Sequence, residues 1–290
     1  MASMNTPPRK VIIVAEFTCN HLGDRERLKA MVWLSKKAGA DLIKIQKRNV
    51  DTFYPPEQLN APYASTFGTT LGDYRKGVEL SLEDISVLEE ECKKADIGWF
   101  VSVLDYESFL SLERLKSPLL KIPSTISEHR LFHKKVADRY KGPIVVSTGF
   151  TSHEYEDYVQ EVFKDNERIY LLQTTSTYPT PPEESSIAVV RHYRDLSKKN
   201  PKIIPGYSSH DHGSLGSMLA VAAGALMIEK HVKLGKSPWV HFDQVALDLS
   251  GDDFSKFVQD IRIAEKMLGD EKKTIKPSEH HKYTHIPKID

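Results

Sequence analysis

Residues 203–231 read IIPGYSSHDHGSLGSMLAVAAGALMIEKH. The runs 203–208 and 226–231 open continuously apolar rather than alternating and turn polar only toward their ends, and the small-residue segment 214–223 between them suits a helix. Strands apolar on both faces belong to parallel sheets covered by helices, so this stretch predicts strand, crossover helix and parallel strand. Working outward, the same unit recurs. Further apolar runs lie at 11–16, 42–46, 99–103, 119–124, 144–148 and 169–174, with candidate helices near 24–38, 82–96, 105–116, 127–139, 152–164, 184–198 and 252–268. Eight β-then-α units in about 260 residues predict a closed (β/α)8 TIM barrel of the α/β class, in a single domain. An open doubly wound sheet is the rival, but no GxGxxG follows the first run.

The 290 residues divide into an N-terminal extension (1–10), a barrel (11–270) and a polar tail (271–290). Forty basic and forty acidic residues cancel, so nothing draws the chain generally toward nucleic acid or a membrane surface. No apolar run reaches the roughly 20 residues of a membrane span, and none near the N-terminus suits a signal peptide. Two cysteines, Cys19 and Cys92, fit a reducing cytoplasm and exclude a zinc cluster built on thiolates. The connection 47–81 is long for a compact barrel. Carrying Pro55, Pro56 and Pro62 after the second strand, it is expected to cover the catalytic rim.

In this architecture the active site gathers where strands end at the carboxyl face. The runs end in polar side chains: Glu16, then Lys44 and Gln46, Lys121 and Ser124, Ser147 and Thr148, Ser176 and Tyr178, Ser208 and His210, and Glu229 to His231. A lysine inside a strand is costly to bury unless paired or working, so Lys44 and Lys121 stand out. With the nearby hydroxyls they suit a phosphate or carboxylate ligand; a plain salt bridge to a carboxylate such as Glu16 is the simpler alternative. His210 and His231 end adjacent strands, where neutral imidazoles suit a divalent ion and equally suit structural hydrogen bonds.

The ordered motifs AEFTCNHLGD (15–24), DLIKIQKRNVDTFYP (41–55), FGTTLGDYRKGVELS (67–81), LLKIPS (119–124), STGF (147–150), TSTYPTP (175–181), GYSSH (206–210) and IEKH (228–231) resemble the sialic acid synthase family over about residues 10–270. The resemblance implies condensation of phosphoenolpyruvate with a six-carbon aldose, N-acetylmannosamine or a modified amino-hexose, to a nine-carbon 2-keto-3-deoxy acid and phosphate, with C–O cleavage. It further implies Lys44, Lys121, Ser124 and Ser208 around phosphoenolpyruvate and a metal, manganese, on His210 and His231. Glu16, Gln46, Tyr178 and Asp243 would face the sugar and the attacking water, and the expected assembly is a cytoplasmic homodimer.

Some positions depart from that pattern. Ser209 replaces the usual aspartate before His210, Ser176 replaces an asparagine, and 239–244 reads WVHFDQ where Gly-Pro-Asp-His is usual. Relatives of this family carry an antifreeze-like domain that supplies an arginine to the neighbouring subunit. The residues up to Asp290 are expected to leave no room for such a domain. Arg48, Arg75 or another chain is expected to replace that arginine, or the acceptor differs from plain N-acetylmannosamine; the changed sugar-side residues favour the last. A Schiff-base aldolase using Lys44 or Lys121, and a non-catalytic sugar-binding descendant, are the competing readings.

Overall fold

The computed structural model describes residues 10–113, 117–269 and 271–279. The N-terminal extension and most of the tail anticipated from the sequence lie outside them, apart from Lys10 and the exposed, irregular 271–279. Eight parallel strands form the barrel: β1 (Ile12–Thr18), β2 (Leu42–Lys47), β3 (Gly98–Val103), β4 (Leu120–Ile122), β5 (Ile144–Ser147), β6 (Ile169–Gln173), β7 (Ile203–Ser209) and β8 (Met227–Lys233). The β1–β8 pairing, with Glu16 opposite His231, closes it. Eight helices follow: α1 (Arg25–Ala38), α2 (Leu82–Ala95), α3 (Tyr106–Leu112), α4 (Arg130–Arg139), α5 (His153–Val162), α6 (Ala188–Lys199), α7 (Leu215–Ala223) and α8 (Asp253–Leu268).

Local chemistry sets the helix ends. Asp24 accepts from Arg27 N to open α1, and Gly39, at φ 96°, closes it in the left-handed conformation that glycine tolerates. Ser81 and Asp84 form a reciprocal capping box on α2. Asp105 accepts from Ser108 N at the start of α3.

Strand side chains alternate between two separate apolar clusters. Ile13, Ile43, Val101, Val146 and Leu171 pack outward under the helices. Val14, Phe100, Val145, Tyr170, Leu172, Ile204 and Met227 fill the barrel. Two residues further along these inward faces the chemistry changes to Glu16, Ser102, Ser147 and Glu229, and Lys44 stands two beyond Leu42. The apolar plug therefore floors a polar mouth at the carboxyl end of the strands.

The 48–81 connection is structured. It holds helical turns Val50–Phe53 and Pro56–Leu59, a hairpin of Pro62–Ser65 with Gly68–Thr70, and a helix Leu71–Gly77. Its Tyr63 stacks on Tyr74 at 4.5 Å and donates to the Trp239 carbonyl, while Phe67 and Tyr74 meet the Trp239 ring edge-on. The cover expected from the prolines is thus fastened to the loop after β8.

Candidate active site

A cavity of about 420 Å³ opens at the mouth, and Lys44, Gln46, Lys121, Ser124, Ser176, Tyr178, Ser208, His210 and His231 all line it. The strand ends of more than half the barrel converge there. Four cationic side chains, Lys44, Arg48, Arg75 and Lys121, face one carboxylate, Glu229, across the lining.

Glu229 is the hub. Its Oε1 accepts from Lys44 at 2.7 Å, Lys121 at 2.6 Å and Ser208 at 3.0 Å. Burial opposes the charge on Glu229, but the two ammonium groups outweigh it and hold the carboxyl well below the usual range. Lys44 also contacts Glu16 Oε2; burial, reinforced by Lys121, pushes its own pKa well down despite Glu229. Glu16 Oε1 accepts from the Thr18 amide at 2.9 Å and from the Thr18 hydroxyl. Glu16 is fully buried and stands behind Lys44 rather than in the cavity wall.

The histidines are held in one tautomer. His210 Nδ1 lies 2.7 Å from the Thr175 carbonyl, which can only accept, so Nδ1 carries the hydrogen and Nε2 does not. The Thr18 hydroxyl spends its proton on Glu16 and so accepts from His231 Nδ1 at 3.0 Å, which gives His231 the same tautomer. Burial drives His210 down to about 4 and His231 well below its ordinary value, the latter reinforced by His210 and Lys44. Two neutral imidazoles with ring centres 5.4 Å apart, each with an unprotonated Nε2, form a donor pair suited to a divalent ion. Tyr178 lies 4.1 Å from the His210 ring, and Phe242 stacks on His231 at 4.7 Å.

Ser147 and Ser176 keep buried hydroxyls without partners among the described residues at the cavity wall. Between them runs Gly149, whose amide donates to Ser124 at 2.9 Å. A Cβ on Gly149 would fall 2.3 Å from Ser176 Oγ and 2.7 Å from Ser124 Oγ, so glycine is required for this close approach.

Asp243 is placed elsewhere. Its carboxylate accepts from Lys233 at 3.0 Å and from the Ser237 amide at 2.8 Å, and His241 and Phe242 line the cavity instead. Asp211, two residues beyond Ser209, accepts from Ser209 and Tyr207, while His210 Nδ1 goes to the Thr175 carbonyl. Sequence reasoning assigned no role to Glu229, Thr18 or Phe242. Their signal was present only for Glu229, an acidic residue midway along an apolar strand.

Fold and mouth together define a barrel enzyme for an anionic substrate, with paired lysines on one wall and paired imidazoles on another. The chain belongs to the NeuB family, which it matches over residues 31–273. It is 31% identical to human N-acetylneuraminate-9-phosphate synthase over 270 residues, covering 92% of this chain and 74% of that protein. It is 33% identical to pseudaminic acid synthase of Campylobacter jejuni over 273 residues, covering 91% and 76% respectively. The crystal structure of N-acetylneuraminic acid synthetase from Leptospira borgpetersenii shares the fold at a TM-score of 0.80 and 23% identity, covering 96% of this chain and 93% of that one. The chain is accordingly a NeuB-type synthase.

Proposed function

We propose that the cavity condenses phosphoenolpyruvate with a six-carbon amino-hexose to give a nine-carbon 2-keto-3-deoxy acid and phosphate. The observation that carries this reading is the Lys44–Glu229–Lys121 assembly opening on the same cavity as His210 and His231. Lys44 and Lys121 neutralise the carboxylate and phosphate of the enol phosphate. The free hydroxyls of Ser147 and Ser176, with Ser124 and Ser208, complete the hydrogen bonds of its oxygens. Gln46 and Tyr178 face the acceptor, and Arg75, whose Nε has no partner among the described residues, offers a cation to an anionic substituent on that sugar.

A first-row divalent ion such as manganese, held by Nε2 of His210 and His231, would supply Lewis-acid polarisation of the aldehyde. C3 of the enol forms the new bond to the aldehyde carbon, and water adds at C2. Phosphate then departs with its bridging oxygen; to Glu16, which meets the cavity only through Lys44, we assign uptake of the proton that water loses. The Schiff-base reading is less well supported. It needs an amine free to reach a carbonyl carbon, whereas Lys44 is held by Glu16 and Glu229 and Lys121 by Glu229.

No helix among the described residues is long and apolar enough to cross a membrane. Cys19 and Cys92 are both buried free thiols, in keeping with the reducing cytoplasm we assign, and a homodimer is the assembly proposed. The test is phosphate release from phosphoenolpyruvate and manganese against a panel of N-acetylmannosamine, its 6-phosphate and diacetamido-hexoses. Aldose-dependent release supports the proposal. Covalent trapping of a lysine by borohydride with a keto acid, without phosphate release, would replace it with the aldolase.

A further inference from the structure

A second group of metal-ligating side chains lies between α5 and α6, in a cavity of about 300 Å³ that shares no lining residue with the substrate cavity. His153 opens α5, Glu156 follows one turn later, and His192 reaches across from α6. Glu156 Oε2 is 3.0 Å from His153 Nδ1 and 2.8 Å from His192 Nε2, and the three ligand atoms all lie within 4.8 Å of one another. Ligands of a tetrahedral zinc ion sit about 3.3 Å apart, given bonds of about 2.0 Å, so small side-chain movements would admit an ion.

The Glu156 carboxylate is 8% exposed, and its ion-pair partners among the described residues are these two imidazoles alone, with no lysine or arginine. A carboxylate so enclosed needs hydrogen-bond donors or a cation beside it, and the two imidazoles with Tyr193 are what the protein itself supplies. The imidazoles are 71% and 37% exposed, which leaves a route for an ion from solvent.

We propose that His153, Glu156 and His192 bind a zinc-class divalent cation, with a fourth position open to water. Two imidazoles and one carboxylate form a donor set that suits zinc. The ion clamps α5 to α6. From α6, Tyr193 donates to Thr148 Oγ1 at 3.0 Å, and Thr148 joins Ser147 to Gly149 at the substrate cavity. Occupancy of this site therefore steadies the 147–150 turn without touching substrate.

Cobalt(II) titrated into the full chain carrying both His210→Ala and His231→Ala tests the proposal, because the mouth pair is then removed. The visible d–d absorption of four-coordinate cobalt should saturate at one equivalent per chain. Adding His192→Ala should weaken binding by at least about 100-fold, since outer ligand supports alone are worth about 10–100-fold. Glu156→Gln should do the same, and circular dichroism establishes that each variant is folded. Absence of the band in the double variant, or its persistence with His192→Ala, would overturn the site and leave a hydrogen-bonded carboxylate–imidazole pair.

Discussion

Lys44 and Lys121 donate to the same atom, Oε1 of Glu229, at 2.7 and 2.6 Å, although they stand on strands two apart in the barrel. Two ammonium groups brought so close repel each other, and the shared carboxylate is what makes the arrangement stable. It also holds both cations at the wall where a doubly anionic substrate would arrive.

Glu229→Gln removes that charge and leaves two buried cations with only Glu16 between them. Breaking a buried ion pair from one side costs about 3–5 kcal/mol. The urea midpoint of this variant should drop accordingly; a loss below about 1 kcal/mol would show that Glu229 does not hold the pair.

Gly149→Ala pushes a methyl group into Ser124 and Ser176 while leaving the lysines and histidines in place. The KM for phosphoenolpyruvate should rise about tenfold or more, the scale of a lost hydrogen bond to a charged group. The KM for the aldose should change little. Equal rises in both would place this turn outside the phosphoenolpyruvate side of the cavity.

His21, His133 and His210 are each held down to about 4 by burial. Unfolded histidine titrates near 6.5, so between about pH 6.5 and 4 the unfolded chain binds more protons than the native one. Stability therefore falls as pH drops through that window, with a slope of about 1.4 kcal/mol per pH unit for each histidine. Denaturant midpoints measured from pH 7.5 to 4.5 should show a steep decline below 6.5. A flat profile to pH 5 would mean these rings are hydrated.

His210→Ala should keep the fold: the ring sits at the mouth, and its loss removes the hydrogen bond to Thr175, worth about 1 kcal/mol, together with its packing on Tyr178. Turnover should disappear with the donor pair. Retained phosphate release beside an unchanged thermal midpoint would remove the histidines from the reaction.

The barrel was legible because its strands are apolar on both faces, a pattern that few other structures produce; runs such as 144–148 and 203–208 map onto β5 and β7. Polar residues at the ends of those runs were legible for the same reason, as interruptions. The role of Glu229 was not, because its contacts to Lys44 and Lys121 span 185 and 108 residues and leave no local spacing. Asp243 misled in the opposite way. Its neighbours in sequence do line the cavity, but Lys233 and the Ser237 amide turn its carboxylate aside, and that competition is visible only in three dimensions. The 47–81 segment showed its prolines but not its fastening, since Tyr63 meets Trp239 across 176 residues.

The ammonium pair and the imidazole pair serve one reaction only if their ligands meet. Phosphorus-31 relaxation of phosphoenolpyruvate in the presence of protein-bound manganese(II) measures that meeting. Strong paramagnetic broadening is expected in the native chain. It should vanish in His210→Ala, which removes an ion ligand, and in Lys121→Met, which retains the histidines but loses the anion. Tight binding of both ligands without broadening would place them apart and contradict the account.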